Sequence, residues 1–266
     1  MLWAWILSAM AQDAVRGEQL AGLGGCAACH TAEDGPALAG GYRIDTPFGA
    51  FYGPNLTPDP EHGLGGWTYD DFVLAMRRGN GERGRLLWPS FPYDAFTHVV
   101  DRDLADLWAW LQAAVPAALP DVPHEVKPRY RGGLGLWRMV AFRAARAWDD
   151  GLTWGDDGAA SVRDPVARGR YLAEGLGHCG GCHTPRSAIG VPSRREALGG
   201  WEVMDAPALV PLDWSQRELA SFLEDGMTPD GDVTGGEMWR VISEGTSRLS
   251  TADRDALAAW ILAQRR

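Results

Sequence analysis

Lysine is almost absent from this chain of 266 residues, since Lys127 is the only lysine among 25 basic residues. The basic residues are outnumbered by 35 acidic ones, and the formal net charge is -10 at pH 7. Proteins that bind nucleic acids need a basic surface to neutralise phosphates, so this composition excludes that class. Long apolar runs are also missing, because no stretch reaches the ~20 residues that a helix needs to cross a bilayer. We therefore expect no nucleic-acid partner and no transmembrane anchor.

An apolar stretch of eleven residues, MLWAWILSAMA, opens the chain. Its length, and the small residues Ala9 and Ala11 at its end, are typical of a secretory signal segment with its cleavage site. We expect residues 1–11 to direct export to the periplasm, where a partner would be the protein's link to the membrane.

Cysteine is scarce as well, and its four copies all fall in two pentapeptides, CAACH and CGGCH, which leave no cysteine for a disulfide. The C-x-x-C-H pattern is the attachment site of c-type haem. Its two thiols bond to one haem, and the next residue offers an imidazole to the iron. The sequence thus predicts two covalently bound haem c groups, held by Cys26, Cys29 and His30 and by Cys179, Cys182 and His183.

Two other kinds of site, a redox pair and a zinc site, also use cysteines at this spacing. A thioredoxin-like redox pair needs a βαβ context and does not require a histidine after both copies of the motif. A zinc site would need Cys179 and Cys182 to combine with a distant pair of ligands. Because the two pentapeptides lie in matching flanks behind a signal-like start, covalent haem binding is the favoured interpretation.

The two halves of the chain repeat each other well beyond the motifs. Pro54 lies 153 residues before Pro207, which is the same separation as that between Cys26 and Cys179. The segment WTYDDFVLAMRRG similarly precedes WSQRELASFLEDG by 147 residues. Self-similarity of this kind indicates two copies of one structural module.

Each module is predicted to contain three helices joined by long loops, which is the arrangement of a small c-type cytochrome. The first helices have apolar spacing typical of helices and are expected to continue into the haem motifs. The second helices are expected to start at Thr68 and Ser215 and to end at Gly79 and Gly226. The third helices are predicted to begin near Asp101 and Thr251, and residues 46–60 are predicted to be loop.

The predicted fold class is therefore all-α, with two tandem small c-type cytochrome domains whose long loops surround covalent haems. We expect a signal-like segment at residues 1–11, a first domain at 12–115, an interdomain linker with a basic helix at 116–161, and a second domain at 162–266. In the linker, Leu134–Trp148 has helical spacing and lies within a run that is rich in basic residues. Two roles fit its arginines, namely pairing with haem propionates or acidic residues between the domains, and binding at a membrane surface. The basic residues are Lys127, Arg129, Arg131, Arg138, Arg143 and Arg146.

Several longer segments together resemble one family. These are TPFGAFYGPNLTPDPEHGLGGW, WPSFPYDAFT, DLWAWL, HCGGCHTPRSAIG and GGEMWRVISEGTSRLS. They resemble the cytochrome c subunits of bacterial membrane-associated dehydrogenase complexes, such as those that oxidise alcohols, gluconate or sorbitol. The resemblance implies a periplasmic carrier that takes electrons from a dehydrogenase. The acceptor would be a soluble cytochrome, a quinone-linked complex or an oxidase. The sequence departs from the three-haem members because it has two haem motifs and no terminal membrane helix.

The sixth ligand of the second iron is predicted to be Met238, with Met227 as the rival. Cytochromes that only carry electrons usually use an axial methionine, whose thioether raises the potential. Met238 follows a glycine pair and precedes the last helix, where the resemblance also implies the ligand methionine.

The sequence offers several candidates for the sixth ligand of the first iron. Where the family commonly has a methionine between prolines, this chain has Phe91, and no methionine occurs from Ser90 to the third helix. His98 is the first candidate, followed by Met76 and His62, and an open or water-bound iron is a further alternative.

These differences leave three function classes, and the third, a haem-based ligand sensor, is the least favoured because the sequence shows no signalling segment. The favoured one is electron transfer, with the electron entering at the first haem and leaving from the Met-ligated second haem. The alternative is a haem enzyme, such as a sulfur-compound dehydrogenase or a peroxidase-like protein, that uses an open or weakly capped first haem.

Overall fold

A computed structural model describes residues 13–130, 132–142 and 164–264. These ranges are mostly helical, which confirms the predicted fold class. The α-helices are α1 (Ala14–Leu23), α2 (Cys26–His30), α3 (Tyr69–Arg78), α4 (Tyr93–Phe96), α5 (Asp101–Gln112), α6 (Leu134–Ala141), α7 (Pro165–Glu174), α8 (Gly180–His183), α9 (Gln216–Asp225), α10 (Gly236–Glu244) and α11 (Thr251–Ala263). Three short strands are β1 (Arg43–Thr46), β2 (Gly49–Tyr52) and β3 (Glu125–Val126). We call residues 13–115 the first module and residues 164–264 the second module.

The first and last helices of each module pack against each other, α1 on α5 and α7 on α11. Glycine makes both contacts possible. A Cβ at Gly17 would collide with the carbonyl oxygen of Asp106, and a Cβ at Gly169 would collide with that of Ala256. The two backbones therefore approach as closely in one module as in the other.

The middle helices α3 and α9 begin and end where the sequence predicts. The hydroxyls of Thr68 and Ser215 each accept a hydrogen bond from the backbone of the third helical residue, and both helices have a complete capping box. Gly79 and Gly226 end them in the left-handed conformation, with φ of 60° and 76°. Glycine reaches this conformation without a steric penalty.

The first helices do not run into the haem motifs, and that prediction was wrong. Helix α1 ends at Leu23 and α7 ends at Glu174. Gly25 has φ of 63° and His178 has φ of 34°, so the chain leaves the helical path before each motif. The motif turn is a separate short helix in both modules.

A small antiparallel sheet lies in a region where the sequence predicts only loop. Strand β1 pairs with β2, with Ile44 opposite Phe51, and β2 pairs with β3, with Ala50 opposite Glu125. Strand β3 belongs to the stretch that the sequence assigns to the linker. Strands this short carry little local signal, and the pairing with β3 depends on contacts distant in sequence.

Helix α6 contacts both modules. The indole nitrogen of Trp137 donates to the carbonyl oxygen of Ile189 in the second module at 2.7 Å. The Arg138 guanidinium donates to the carbonyl oxygen of Gly79 in the first module at 2.9 Å. The helix predicted over Leu134–Trp148 is longer than α6. Its part from Arg143 onward lies outside the described residues, as does the basic residue Arg131.

The modules also share a buried polar contact. Tyr171 on α7 is 1% exposed, and its hydroxyl donates to a carboxylate oxygen of Asp103 on α5 at 2.6 Å. The same hydroxyl accepts from the backbone nitrogen of Val100 at 3.3 Å. Buried carboxylates require such partners, so this contact ties the start of α5 to the second module.

No helix within residues 13–130, 132–142 and 164–264 is long and apolar enough to cross a membrane. The signal-like residues 1–11 lie outside these ranges, and the predicted domain boundaries stay predictions.

Candidate haem-binding sites

The cysteine motifs form matching short helices, α2 in the first module and α8 in the second. None of the four cysteines forms a disulfide. Each motif is followed by a residue that leaves the helical conformation, Thr31 and Thr184, so each histidine is the last residue of its helix. The two thiols and the imidazole of each motif are thus presented on one tight turn.

A proline carbonyl orients the imidazole in both motifs. The Nδ1 atom of His30 lies 2.8 Å from the carbonyl oxygen of Pro54, and Nδ1 of His183 lies 2.7 Å from that of Pro207. A carbonyl only accepts, so Nδ1 must carry the proton and Nε2 keeps its lone pair. This is the arrangement by which a metal-binding histidine is held in one tautomer.

Burial keeps both imidazoles neutral. It lowers the pKa of His30 and of His183, and the hydrogen bonds to Pro54 and Pro207 offset part of that effect. A neutral imidazole is the form that binds a metal. Both histidines are therefore prepared as axial ligands.

The cysteine thiols are not activated as redox nucleophiles. Burial raises the pKa of Cys26 and of Cys179 to about 12, and that of Cys29 to about 11. Catalytic C-x-x-C pairs have a lowered thiol pKa instead. The burial of these thiols, which raises their pKa, therefore disfavours the thioredoxin-like alternative. The described residues also contain no cluster of three or more metal-binding side chains that would form a zinc site.

A strained loop supports each motif in the same way. Leu38 and Leu198 are buried and have φ of 61° and 60°, a conformation that non-glycine residues rarely adopt. Their backbone nitrogens donate to the hydroxyls of Thr31 and Thr184 at 3.0 and 3.1 Å. Backbone strain of this kind concentrates at functional sites, and here it occurs at equivalent positions of the repeat.

The segment that is expected to supply the sixth ligand follows equivalent hairpins. The backbone nitrogen of Leu87 donates to the carbonyl oxygen of Gly79 at 2.8 Å, and that of Thr234 donates to Gly226 at 2.9 Å. Phe91 and Met238 each lie four residues further along. Phe91 thus occupies the position in the first module that Met238 occupies in the second.

The two residues have different surroundings. Met238 is half-buried on α10 and packs against the hydrophobic core. The ring of Phe91 packs against Phe96, with centroids 5.3 Å apart, and Phe96 in turn contacts the ring of His178 at 5.6 Å. The first module thus has an aromatic cluster in this segment, which extends to the residue before Cys179.

The remaining candidate ligands lie in distinct environments. His98 is half-buried; burial, together with the charge of Arg170 on α7, lowers its pKa to about 4. Met76 is buried on α3 at 5% exposed, and its equivalent on α9 is the buried Leu223, which favours core packing for both. Met227 is 51% exposed in the turn after α9. His62, the last candidate, is half-buried in a loop.

The donor sets fit haem c. Each module offers two protonated thiols on one turn and a neutral imidazole with a free Nε2, which are the groups that covalent haem attachment uses. A helical module with this set of residues defines a c-type cytochrome. The cytochrome c family profile matches residues 14–114.

The comparison with known proteins gives the particular family. Over 96% of its length the chain is 39% identical to a protein of Cereibacter sphaeroides described as a dihaem cytochrome c-type protein, and it covers 87% of that protein. The chain therefore belongs to the dihaem c-type cytochromes and binds two haem c groups.

Longer relatives confirm the resemblance that the sequence indicated. The chain is 37% identical to the cytochrome c subunit of the alcohol dehydrogenase (quinone) of Gluconobacter oxydans, and 35% identical to the gluconate 2-dehydrogenase cytochrome c subunit of Pantoea cypripedii. The alignments include 96% and 94% of this chain but only 56% and 60% of the relatives. The chain thus corresponds to a little over half of each of these subunits.

Some site residues were not singled out from the sequence. The repeated prolines Pro54 and Pro207 indicate equivalent loops. The sequence does not show, however, that their carbonyl oxygens accept hydrogen bonds from the motif histidines. The left-handed Leu38 and Leu198 carry no sequence signal, because leucine ordinarily avoids this conformation. Tyr42 and Arg240 form a cation–π contact, but they are separated by 198 residues and no local sequence pattern links them.

Proposed function

We propose that this protein is an exported, periplasmic cytochrome that carries electrons from a dehydrogenase partner toward the respiratory chain. The observation that carries this proposal is the repetition of a complete axial-histidine site in both modules, each with its own proline carbonyl. Two relatives are named as cytochrome subunits of dehydrogenases, which supports a partner of that class. The acceptor would be a soluble cytochrome, a quinone-linked complex or an oxidase.

Bound haem supplies a reversible one-electron couple at each site. The residues of the chain hold the groups that support this couple. His30 and His183 bind iron through Nε2 while the proline carbonyls keep Nδ1 protonated, so oxidation and reduction need no proton transfer at the histidine. Met238 is proposed as the sixth ligand of the second iron, where a thioether favours the reduced state. His98 stays the predicted ligand of the first iron.

The proposed direction follows from this difference. With imidazole or no strong sixth ligand, the first site should have the lower potential, and a methionine-ligated second site should have the higher one. Electrons would then enter at the first module and leave from the second. Midpoint potentials in the reverse order would contradict this direction.

The test uses cells from which the gene has been deleted. Oxygen uptake is measured with alcohols and gluconate as substrates, since these appear in the names of the two relatives. We expect uptake with one substrate class to fall and to be restored by the wild-type gene, but not by a gene with Cys179→Ala and Cys182→Ala. Fractionation of the complemented cells should recover the haem-loaded protein in the periplasm. Unchanged uptake with every substrate would overturn the proposal.

A second candidate function is a haem enzyme that reacts at the first haem, such as a sulfur-compound dehydrogenase or a peroxidase-like protein. The observation that favours it is Phe91 at the position equivalent to Met238, because a phenyl ring cannot bind iron. The measurement is the number of carbon monoxide molecules bound by the reduced, haem-loaded protein. If protein ligands close both irons, the protein binds no carbon monoxide, and this result favours the electron carrier. One molecule per chain, together with turnover of thiosulfate or peroxide by the purified protein, favours the enzyme.

A further inference from the structure

Helix α10 of the second module makes a direct polar contact with the haem motif of the first. The guanidinium of Arg240 donates through Nη2 to the carbonyl oxygen of Ala28, which lies between the two cysteines of CAACH, at 2.8 Å. The same helix carries Met238, two residues before Arg240. One helix of nine residues therefore contributes to the second site and contacts the attachment turn of the first.

Three further side chains hold Arg240 in place. Its guanidinium carbon lies 4.5 Å from the ring centroid of Tyr42, within the range of a cation–π contact. The Tyr42 hydroxyl donates to a carboxylate oxygen of Glu237 at 3.0 Å, and Nε of Arg240 lies 3.7 Å from Glu244. We call Tyr42, Glu237, Arg240 and Glu244 the bridge cluster.

The bridge cluster lies on a close approach of the two modules. A Cβ at Gly22 would collide with the carbonyl oxygen of Glu244, so α1 and the end of α10 are nearly in backbone contact. This approach fixes α10 relative to the first motif, because neither backbone has room to shift toward the other.

The bridge cluster places charges of both signs beside the first attachment turn. Arg240 brings its positive charge into hydrogen-bond contact with this turn at the Ala28 carbonyl. The carboxylates of Glu237 and Glu244 lie 4.0 and 3.7 Å from the Arg240 guanidinium. The positive charge therefore contacts the first motif directly, and the two negative charges lie next to it.

We infer that Arg240 is a positioning residue that fixes the first haem-attachment turn against α10 and makes the first haem easier to reduce. Reduction adds one electron and forms or breaks no bond, so a nearby positive charge stabilises the reduced state and a negative charge opposes it. Arg240 thereby narrows the difference in potential that the sixth ligands would produce between the two haems. The inference uses the two bound haems but does not depend on which proteins donate or accept electrons.

The test is a potentiometric titration of the haem-loaded full chain, with the two haems distinguished by electron paramagnetic resonance. Arg240→Gln should lower the midpoint potential of the first haem and leave that of the second nearly unchanged. Arg240→Lys keeps the charge and should retain the potential while losing the planar guanidinium contact. Arg217→Gln, an exposed change of equal charge on α9, is the matched control and should move neither potential.

A reciprocal variant keeps the inference testable if Arg240→Gln does not incorporate haem. Glu237→Gln removes a carboxylate that lies 4.0 Å from the Arg240 guanidinium and should raise the midpoint potential of the first haem. Unchanged potentials in Glu237→Gln, or an Arg240→Gln shift confined to the second haem, would overturn the inference. Because these titrations need no partner protein, they separate this inference from the proposed physiological role.

Discussion

The two modules share one framework but differ at the position that is proposed to supply the sixth iron ligand. Both have the glycine-mediated helix contact, the capped middle helix, the left-handed leucine and the proline carbonyl on the axial histidine. Four residues after equivalent hairpin bonds, however, the first module has Phe91 and the second has Met238. The surroundings of the haem motifs are thus alike in both modules, whereas the position proposed for the sixth ligand differs.

The helix contacts also differ in their electrostatics. In the first module Arg16 forms ion pairs with both Asp103 and Asp106, which are almost fully buried. In the second module the equivalent Arg168 pairs with Asp253 alone, at 2.8 Å, and both partners are partly exposed. The first module therefore depends more on its charge pairing than the second does.

The largest effect, a change in midpoint potential, is expected from exchanging Phe91 and Met238. Met238→Phe should remove the thioether from the second iron, lower its midpoint potential and add one carbon monoxide molecule per reduced chain. The reciprocal Phe91→Met should raise the potential of the first haem. Potentiometry and ligand counting check both changes. If Met238→Phe leaves the potential and the ligand count unchanged, Met227 or another residue closes the second iron.

The next largest effect concerns the ion pairs. Arg16→Ala leaves two buried carboxylates without their cation and should cost about 3–5 kcal/mol of unfolding free energy. Arg168→Ala removes a bidentate but partly exposed pair and should cost about 1–3 kcal/mol. Guanidinium denaturation of the haem-loaded variants measures both. Equal losses would show that the extra buried charge in the first module has no energetic consequence.

The glycine contacts should behave alike in both modules. Gly17→Ala and Gly169→Ala each place a methyl group against a carbonyl oxygen of the facing helix, and each should cost about 1–3 kcal/mol. Gly235→Ala is the control, because a Cβ there has no neighbour within 4 Å. If only one of the two variants loses stability, the helices of the other module can separate without loss.

The smallest effect is expected at the capping boxes. Thr68→Ala and Ser215→Ala each remove one hydrogen bond to an otherwise unpaired backbone nitrogen, at a cost of about 1 kcal/mol. Thermal denaturation of the two variants should give similar shifts. Thr68→Ser provides a control, since it keeps the hydroxyl that accepts the bond.

The sequence predicts the parts of the fold that local chemistry determines. The caps at Thr68 and Ser215 and the terminal glycines follow from residue types at fixed offsets, and the motif itself names its ligands. The small sheet and the bridge cluster were missed because each joins residues far apart in sequence. Helices α1 and α7 were extended too far because apolar spacing continues through a glycine that changes the direction of the backbone.

The contact of Asp103 with both modules has a consequence for how this chain can evolve. Its carboxylate accepts from Arg16 in its own module and from Tyr171 in the other. A substitution at Asp103 would remove this acceptor from both side chains at once, and loss of a buried hydrogen bond of this kind is costly. The two modules therefore cannot change independently at this contact, because one carboxylate serves a helix of each.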